Sequence, residues 1–255
     1  MSRTKFVQVE NKNALLELLE EGKTFEKIFI ANNAFKDPKT RRIVELAGQK
    51  GILVEKVARR SISRRSKTSS KESVIGLMRV DNQFDLTEVL DEIFDLGLTP
   101  FVLIFNDIRY PYNIGAIFRT AYAAGVNCII TPIQKGNLLS DEVIRISMGT
   151  CLRIPIVEMS LFTAIKVLQK NAVEIVGVNM EGQSMYTTDL TGPKAFLMGS
   201  EDIGISSKMI DRADKLISIP MKGGLGSLNV SVASSLVMYE KARQDLGSEG
   251  SPLRK

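Results

Sequence analysis

Apolar positions along this chain switch between two spacings, and the switches outline its elements. In the first eighty residues helical spacing runs through NALLELLEEG (13–22), where Gly22 supplies a stop, and again near PKTRRIVELAGQKG (38–51). Short runs rich in Val and Ile predict strands at KIFIA (27–31), ILVEKV (52–57) and SVIGLMRV (73–80). Together these make a small α/β unit over residues 1–80. From residue 99 the alternation is longer. Strands are predicted at FVLIFN (101–106), NCIIT (127–131), EIVGVN (174–179), AFLMG (195–199) and KLISI (215–219). Helices are predicted at NIGAIFRTAYAAG (113–125), SDEVIRISMGT (140–150), LFTAIKVLQK (161–170) and NVSVASSLVMYEKARQ (229–244). Runs this short and this continuous in hydrophobicity suit a parallel sheet covered on both faces, so residues 99–246 read as a second α/β domain of the kind that binds a nucleotide or cofactor. The tail GSEGSPLRK (247–255) reads as disordered.

Charge changes this picture in two places. Residues 81–98, DNQFDLTEVLDEIFDLGL, carry six acidic and no basic side chains, and the domain boundary is expected in this acidic linker. Phe84, Leu86, Val89, Leu90 and Ile93 give it an apolar side that can pack on a domain. Just before it, RRSISRRSKTSSK (59–71) spaces Arg59, Arg60, Arg64, Arg65, Lys67 and Lys71 with serines and holds no acidic residue. Two readings stand side by side: a solvated surface loop, or a patch, mobile until contact, whose cations displace counterions from RNA phosphates.

Composition bounds the chemistry. A chain of 255 residues, 44% hydrophobic, can bury two cores, and its net charge of +5 is compatible with a polyanionic partner. No run of eighteen apolar residues and no apolar leader is visible, so a cytoplasmic protein without a membrane span is expected. Cys128 and Cys151 stand apart from any C-x-x-C pair and read as buried free thiols, with no metal site expected. The chain has no histidine, which removes Ser-His-Asp triads, Cys-His nucleophiles, H-E-x-x-H zinc sites and histidine general bases together.

Three stretches carry candidate chemistry. In PYNIGAIFRTAYAAG (111–125), Asn113 is expected to cap the helix and Gly125 to end it, while Ile114, Ile117, Phe118 and Ala121 share one face. At 100° per residue Arg119 lies about 140° from Ile114 and points away from that stripe. In FLMGSEDIGIS (196–206) a strand runs into Gly199, Ser200 and Glu201, a small-residue turn that lets a ligand reach backbone groups. In IPMKGGLGSLNVSVASSLVMYE (219–240) a strand passes through three glycines into an apolar helix. Its glycines match neither the G-x-G-x-x-G dinucleotide spacing nor a P-loop, and Ser227 is in no G-x-S-x-G elbow.

In this order and with these separations the three blocks resemble motifs 1, 2 and 3 of the SpoU (TrmH-type) branch of the SPOUT RNA methyltransferases. The resemblance covers about residues 100–243, and the first 80 residues resemble the family's L30e-type substrate-binding domain. It implies an S-adenosylmethionine-dependent methyl transfer to a ribose 2′-OH of structured RNA, most like the bacterial enzymes acting on 23S rRNA. It also implies a C-terminal domain whose strand, loop and helix are threaded into a deep trefoil knot, a rare exception to ordinary chain topology. Gly223, Gly224 and Gly226 would supply unusual φ angles and room for backbone to pass backbone. Met198, Gly199, Ile219, Met221, Ser227, Leu228 and Asn229 would bind the cofactor. Asn113, Arg119, Glu201, Ser227 and Asn229 would form the catalytic site, and Arg59, Arg60, Arg64, Arg65 and Lys67 would contact RNA. Arginine has been proposed as the family's base, but a guanidinium with a pKa above 12 is a poor proton acceptor, so Arg119 is expected to clamp phosphate and oxyanion.

The chain departs from the family pattern at Tyr110, where members commonly have Asp, at Asp202, often Gly, and in showing KESVIG in place of a His-Gln-Gly segment. Rival readings are a tRNA 2′-O-methyltransferase, a resistance methyltransferase acting on the ribosome, and a non-catalytic RNA-binding assembly factor. The final helix and the motif 1 helix carry more apolar residues than one buried face requires, and the resemblance implies a homodimer in which Arg119 of one subunit serves the partner's pocket.

Overall fold

The computed structural model describes residues 5–68, 72–80, 84–133, 138–200, 202–224 and 226–249. The chain divides into two compact units, one of Met1–Asn82 with Asn137–Arg153 and one of Gln83–Gly136 with Ile154–Lys255.

The first unit is built on a four-stranded mixed sheet. Its chain order is β1 (Lys5–Val9), α1 (Lys12–Glu20), β2 (Phe25–Ala31), α2 (Pro38–Gln49), β3 (Leu53–Val57), α3 (Arg59–Arg65) and β4 (Val74–Val80). The strand order is β1-β4-β2-β3, with β2 parallel to β3 and the β4 pairings antiparallel. Asn11 caps α1 by accepting from the Asn13 and Ala14 amides, and Gly22, at φ 86°, lets the chain leave it. Leu15, Leu18 and Leu19 of α1 are buried, as are Ile28 and Ile30 of β2. Strand β1, which the sequence reading left out, pairs along its whole length with β4; KFVQV is too short and too polar to declare itself. The basic stretch also differs from expectation. Instead of a loop it forms α3, because Ile62, 2% exposed, fixes one face to the unit while the arginines stay in water. Helix α6 (Asp141–Ile146), in the segment 137–153, packs against β1, so residues from the middle of the chain complete this unit.

The second unit is a six-stranded sheet in the order β10-β8-β9-β5-β6-β7, parallel at every pairing. Its strands are β5 (Phe101–Asn106), β6 (Cys128–Thr131), β7 (Ile156–Glu158), β8 (Glu174–Ser184), β9 (Lys194–Gly199) and β10 (Lys215–Ser218). Its helices are α4 (Leu86–Asp95), α5 (Pro111–Ala124), α7 (Leu161–Lys170), α8 (Ser207–Ile210) and α9 (Val230–Glu249). Val102, Leu103, Ile104 and Phe105 of β5 are all wholly buried, the mark of a strand covered on both faces. The acidic stretch is no loose connection: α4 lays Leu86, Val89, Leu90 and Ile93 into the core beside Val102, Ile104 and Leu168. Phe84, expected on that apolar side, is instead 45% exposed. Helix α9 continues to Glu249, past residue 247 where the disordered tail was expected, and residues 250–255 lie outside the described residues.

Cys128 and Cys151 are free and buried, and loss of solvent pushes both thiols up to about 12. Among the described residues no cluster of His, Cys, Asp and Glu could hold a metal ion, and no helix is long and apolar enough to cross a membrane.

Candidate active site

The cleft of the second unit opens at the carboxyl ends of β9 and β10, beside the middle of β8, where a parallel sheet offers its strand-end backbone to a ligand. It encloses about 720 Å³. Met198 and Gly199 come from the end of β9, Ile219 and Met221 from the chain leaving β10, and Ser227 and Leu228 from the approach to α9. These six sequence-predicted cofactor residues line one cavity although they come from three separate segments of the chain. Ile219 is buried and Leu228 half-buried, while the Ser227 side chain is exposed toward solvent.

Gly199 is placed there by a steric demand. The turn after β9 folds back so that Ser200 and Gly204 exchange backbone hydrogen bonds of 3.1 and 3.0 Å. A Cβ on Gly199 would stand 2.1 Å from the Gly204 carbonyl carbon and 2.3 Å from the Ile205 nitrogen. Gly204 closes the turn at φ 73°. By contrast, Gly223, Gly224 and Gly226 do not have positive φ, and a Cβ on any of them would meet nothing within 4 Å. The expectation that they supply unusual backbone angles is thus corrected: the close approach is at Gly199.

Asn113 and Asn229 join the two helices bordering the cleft. Asn113 is not the cap of α5; Tyr110 holds that position, Pro111 starts the helix, and Asn113 is buried inside its first turn. Its Oδ1 accepts a 3.0 Å hydrogen bond from Asn229 Nδ2. Asn229 Oδ1 accepts in turn from the Ser231 amide at 2.9 Å and the Ser231 hydroxyl at 2.6 Å, which caps α9. Asn229 does not line the cavity itself; it fixes the backbone that carries Ser227 and Leu228. Asn106 ties the far side, accepting from the Ser206 amide at 3.0 Å.

Arg119 projects from the exposed face of α5, as its helical angle predicts, and is not among the residues lining the cavity of its own chain. Glu201 lies outside the described residues. Sequence reasoning missed the wall supplied by β8, where Val178, Asn179, Met180 and Glu181 line the cavity. No motif marks that stretch; it borders the cavity because β8 pairs in parallel with β9 as far as Gly177 opposite Leu197, which leaves the residues that follow Gly177 beside the end of β9.

In the first unit Arg59, Arg60, Arg64, Arg65 and Lys67 are all exposed. The Arg65 guanidinium lies 4.7 Å from the Phe29 ring centroid, and Lys67 pairs with Asp141 at 3.2 Å.

The outer face of α9 in the second unit forms a groove of about 540 Å³ with Met185 and Tyr186. Val232, Leu236 and Tyr239 are 48%, 38% and 53% exposed there, whereas Val230 and Val237 of the same helix are buried, so only part of its apolar surplus is left uncovered.

Comparison with known proteins adds to this geometry. Residues 100–239 match the SpoU rRNA Methylase family, and residues 9–76 match a family described as RNA 2′-O ribose methyltransferase substrate binding. The 23S rRNA (guanosine-2′-O-)-methyltransferase RlmB of Escherichia coli K12 is 30% identical over 233 residues, covering 91% of this chain and 94% of that protein. RlmB of Pectobacterium atrosepticum is 32% identical over 207 residues, 79% of this chain and 83% of its own. In fold the chain is similar to the AdoMet-bound rRNA methyltransferase from Sinorhizobium meliloti, with a TM-score of 0.75 at 24% identity over 93% of this chain and 87% of that one. It is also similar to the methyltransferase AviRb from Streptomyces viridochromogenes in complex with AdoMet, with a TM-score of 0.78 at 21% identity over 94% and 90%.

Proposed function

The chain belongs to the SpoU rRNA methylase family, and on that premise we propose that it is an RNA ribose 2′-O-methyltransferase that uses S-adenosylmethionine and acts on 23S rRNA in the cytoplasm. One observation carries the reading: the six residues assigned to the cofactor from motifs 2 and 3 line a single cavity at the carboxyl edge of a parallel sheet. The cavity fits that group chemically. Met198, Ile219 and Leu228 offer apolar surface to a flat base, Ser227 offers a hydroxyl, and Gly199 leaves backbone where a side chain would fill the space.

When bound, the cofactor supplies a methyl group on a sulfonium centre, which needs little from the protein beyond in-line placement of the attacking oxygen. The chain's own residues provide that placement. The Asn113–Asn229 bond locks the start of α9, and so Ser227 and Leu228, against α5. Arg119, exposed on α5, clamps the phosphate beside the reacting ribose and holds charge developing on its oxygen. With no histidine in the chain, no imidazole takes the 2′ proton.

The trefoil knot is part of this proposal, as is a homodimer. The exposed Val232, Leu236, Tyr239 and Tyr186 of the groove offer an apolar face that a second copy would cover, and a two-fold pairing there would bring Arg119 of one subunit to the cleft of the other. The exposed cations of α3 contact RNA phosphates. The test is transfer of labelled methyl from S-adenosylmethionine to total RNA, followed by mapping of the modified nucleotide. Label on one 2′-O-methylated nucleotide of 23S rRNA is the expected result. Label on tRNA would reassign the substrate, and no label on any RNA would return the chain to a non-catalytic role.

A further inference from the structure

Glu10 is a buried carboxylate that the chemistry above does not use. It stands at the end of β1, 5% exposed, and four donors converge on it. Its Oε1 accepts from the Lys67 amide at 2.7 Å and from Gln8 Nε2 at 2.6 Å, and its Oε2 accepts from the Ser66 hydroxyl at 2.7 Å and from the Thr68 hydroxyl. Gln8 extends the arrangement by donating to the Arg65 carbonyl at 2.9 Å. Three consecutive residues after α3 are therefore fastened to one side chain fifty-six or more positions earlier in the chain.

Beside five exposed cations a carboxylate partly cancels the positive field that draws RNA phosphate, so its place there calls for a role other than charge. A short loop leaving a helix has few backbone partners, and holding each residue in one conformation costs about 1–2 kcal/mol of entropy. A carboxylate whose two oxygens each accept two hydrogen bonds can offset that cost where neutral acceptors are weaker. We infer that Glu10 is a positioning residue for RNA binding: through Ser66, Lys67 and Thr68 it holds the end of the basic segment so that Arg64, Arg65 and Lys67 face the RNA together. The inference rests on the proposal that these cations contact RNA.

Two effects of Glu10→Gln have opposite signs, which makes the test sharp. If charge alone mattered, removing an anion would raise the net charge from +5 and tighten RNA binding. If positioning matters, the released segment must be ordered again on binding, and affinity for deproteinised 23S rRNA falls by about 10-fold, the equivalent of ordering roughly one residue. We expect the fall, together with faster hydrogen exchange at the Lys67 amide and unchanged S-adenosylmethionine affinity. Affinity that is equal to or tighter than wild type overturns the inference. Should the variant fail to fold, Ser66→Ala with Thr68→Val removes two of the four donors without altering the carboxylate, and the same two outcomes apply. A parallel variant with Arg64, Arg65 and Lys67 all changed to Ala separates this inference from its premise. If its affinity has the wild-type dependence on salt, the cations do not touch RNA and the premise falls; if that dependence weakens while Glu10→Gln binds as wild type, the role of Glu10 alone falls.

Discussion

Gly199 and Arg119 show how differently two residues assigned to the proposed site can matter. Gly199 is constrained by backbone on its own chain, with the Gly204 carbonyl carbon 2.1 Å from where a Cβ would stand. Gly199→Ala must open the turn that borders the cleft. Overpacking of this kind costs about 1–3 kcal/mol, and here it also narrows the cavity. We predict a lowered thermal midpoint and at least about tenfold weaker S-adenosylmethionine binding by calorimetry, the tenfold corresponding to 1.4 kcal/mol; wild-type affinity would mean that the turn relaxes away from the cavity. Arg119 is exposed and absent from the cavity wall, so Arg119→Ala should leave cofactor affinity unchanged while methyl transfer falls by about 100-fold or more, as expected for loss of a charge-stabilising group. Near-normal turnover by that variant would remove Arg119 from the site.

At the scale of elements, β1 and α3 are linked by the Glu10 carboxylate, and that linkage sets a pH dependence. Burial by itself pushes the Glu10 carboxyl up, but the hydrogen bonds from Thr68, the Lys67 amide, Ser66 and Gln8 together outweigh it and leave the group below its ordinary value of 4.5. A carboxyl depressed in the folded state contributes stability that is full above its ordinary value and is lost as pH falls through the folded value. The midpoint of thermal unfolding of the first unit should therefore be higher for the wild type than for Glu10→Gln at pH 7, and the gap should close as the pH is taken below 4.5. A gap that stays constant from pH 7 to pH 3 would show that the carboxylate charge contributes nothing to the fold. In the second unit the comparable link is Asn113 to Asn229, a neutral pair, and it has no such dependence.

For the whole molecule the open quantity is assembly. Leu236, Tyr239 and Val232 leave an apolar stripe on α9 that a single chain does not cover, and a closed two-fold pairing buries the same stripe on both copies. We predict a dimer in solution at micromolar concentration by sedimentation. Mixing an Arg119→Ala chain with an Asn229→Ala chain should recover about a quarter of wild-type activity, since half of randomly paired dimers carry one intact shared site of two. A monomer rejects the dimer, and a dimer whose mixed mutants stay inactive rejects the shared site.

The local pattern of residues determined the parallel sheet strands, whose buried apolar runs are continuous, and the stops at Gly22 and Gly125, both at positive φ. It also determined the outward direction of Arg119, because the period of a helix fixes the angle between neighbours. Motif order brought Met198, Gly199, Ile219, Met221, Ser227 and Leu228 together before any coordinates did. Other features rest on contacts between distant segments, and no local pattern carries them. Strand β1 exists because β4 pairs with it, and α3 because Ile62 finds a core. Residues 137–153 join the first unit because α6 finds β1, and Asn113 is fixed by Asn229 reaching back to it, although its place inside α5 follows locally from Pro111 starting the helix. The reason for Gly199 likewise became visible only when the turn to Gly204 folded back on it, since steric exclusion is a property of two backbone segments in space and not of the residues along either one.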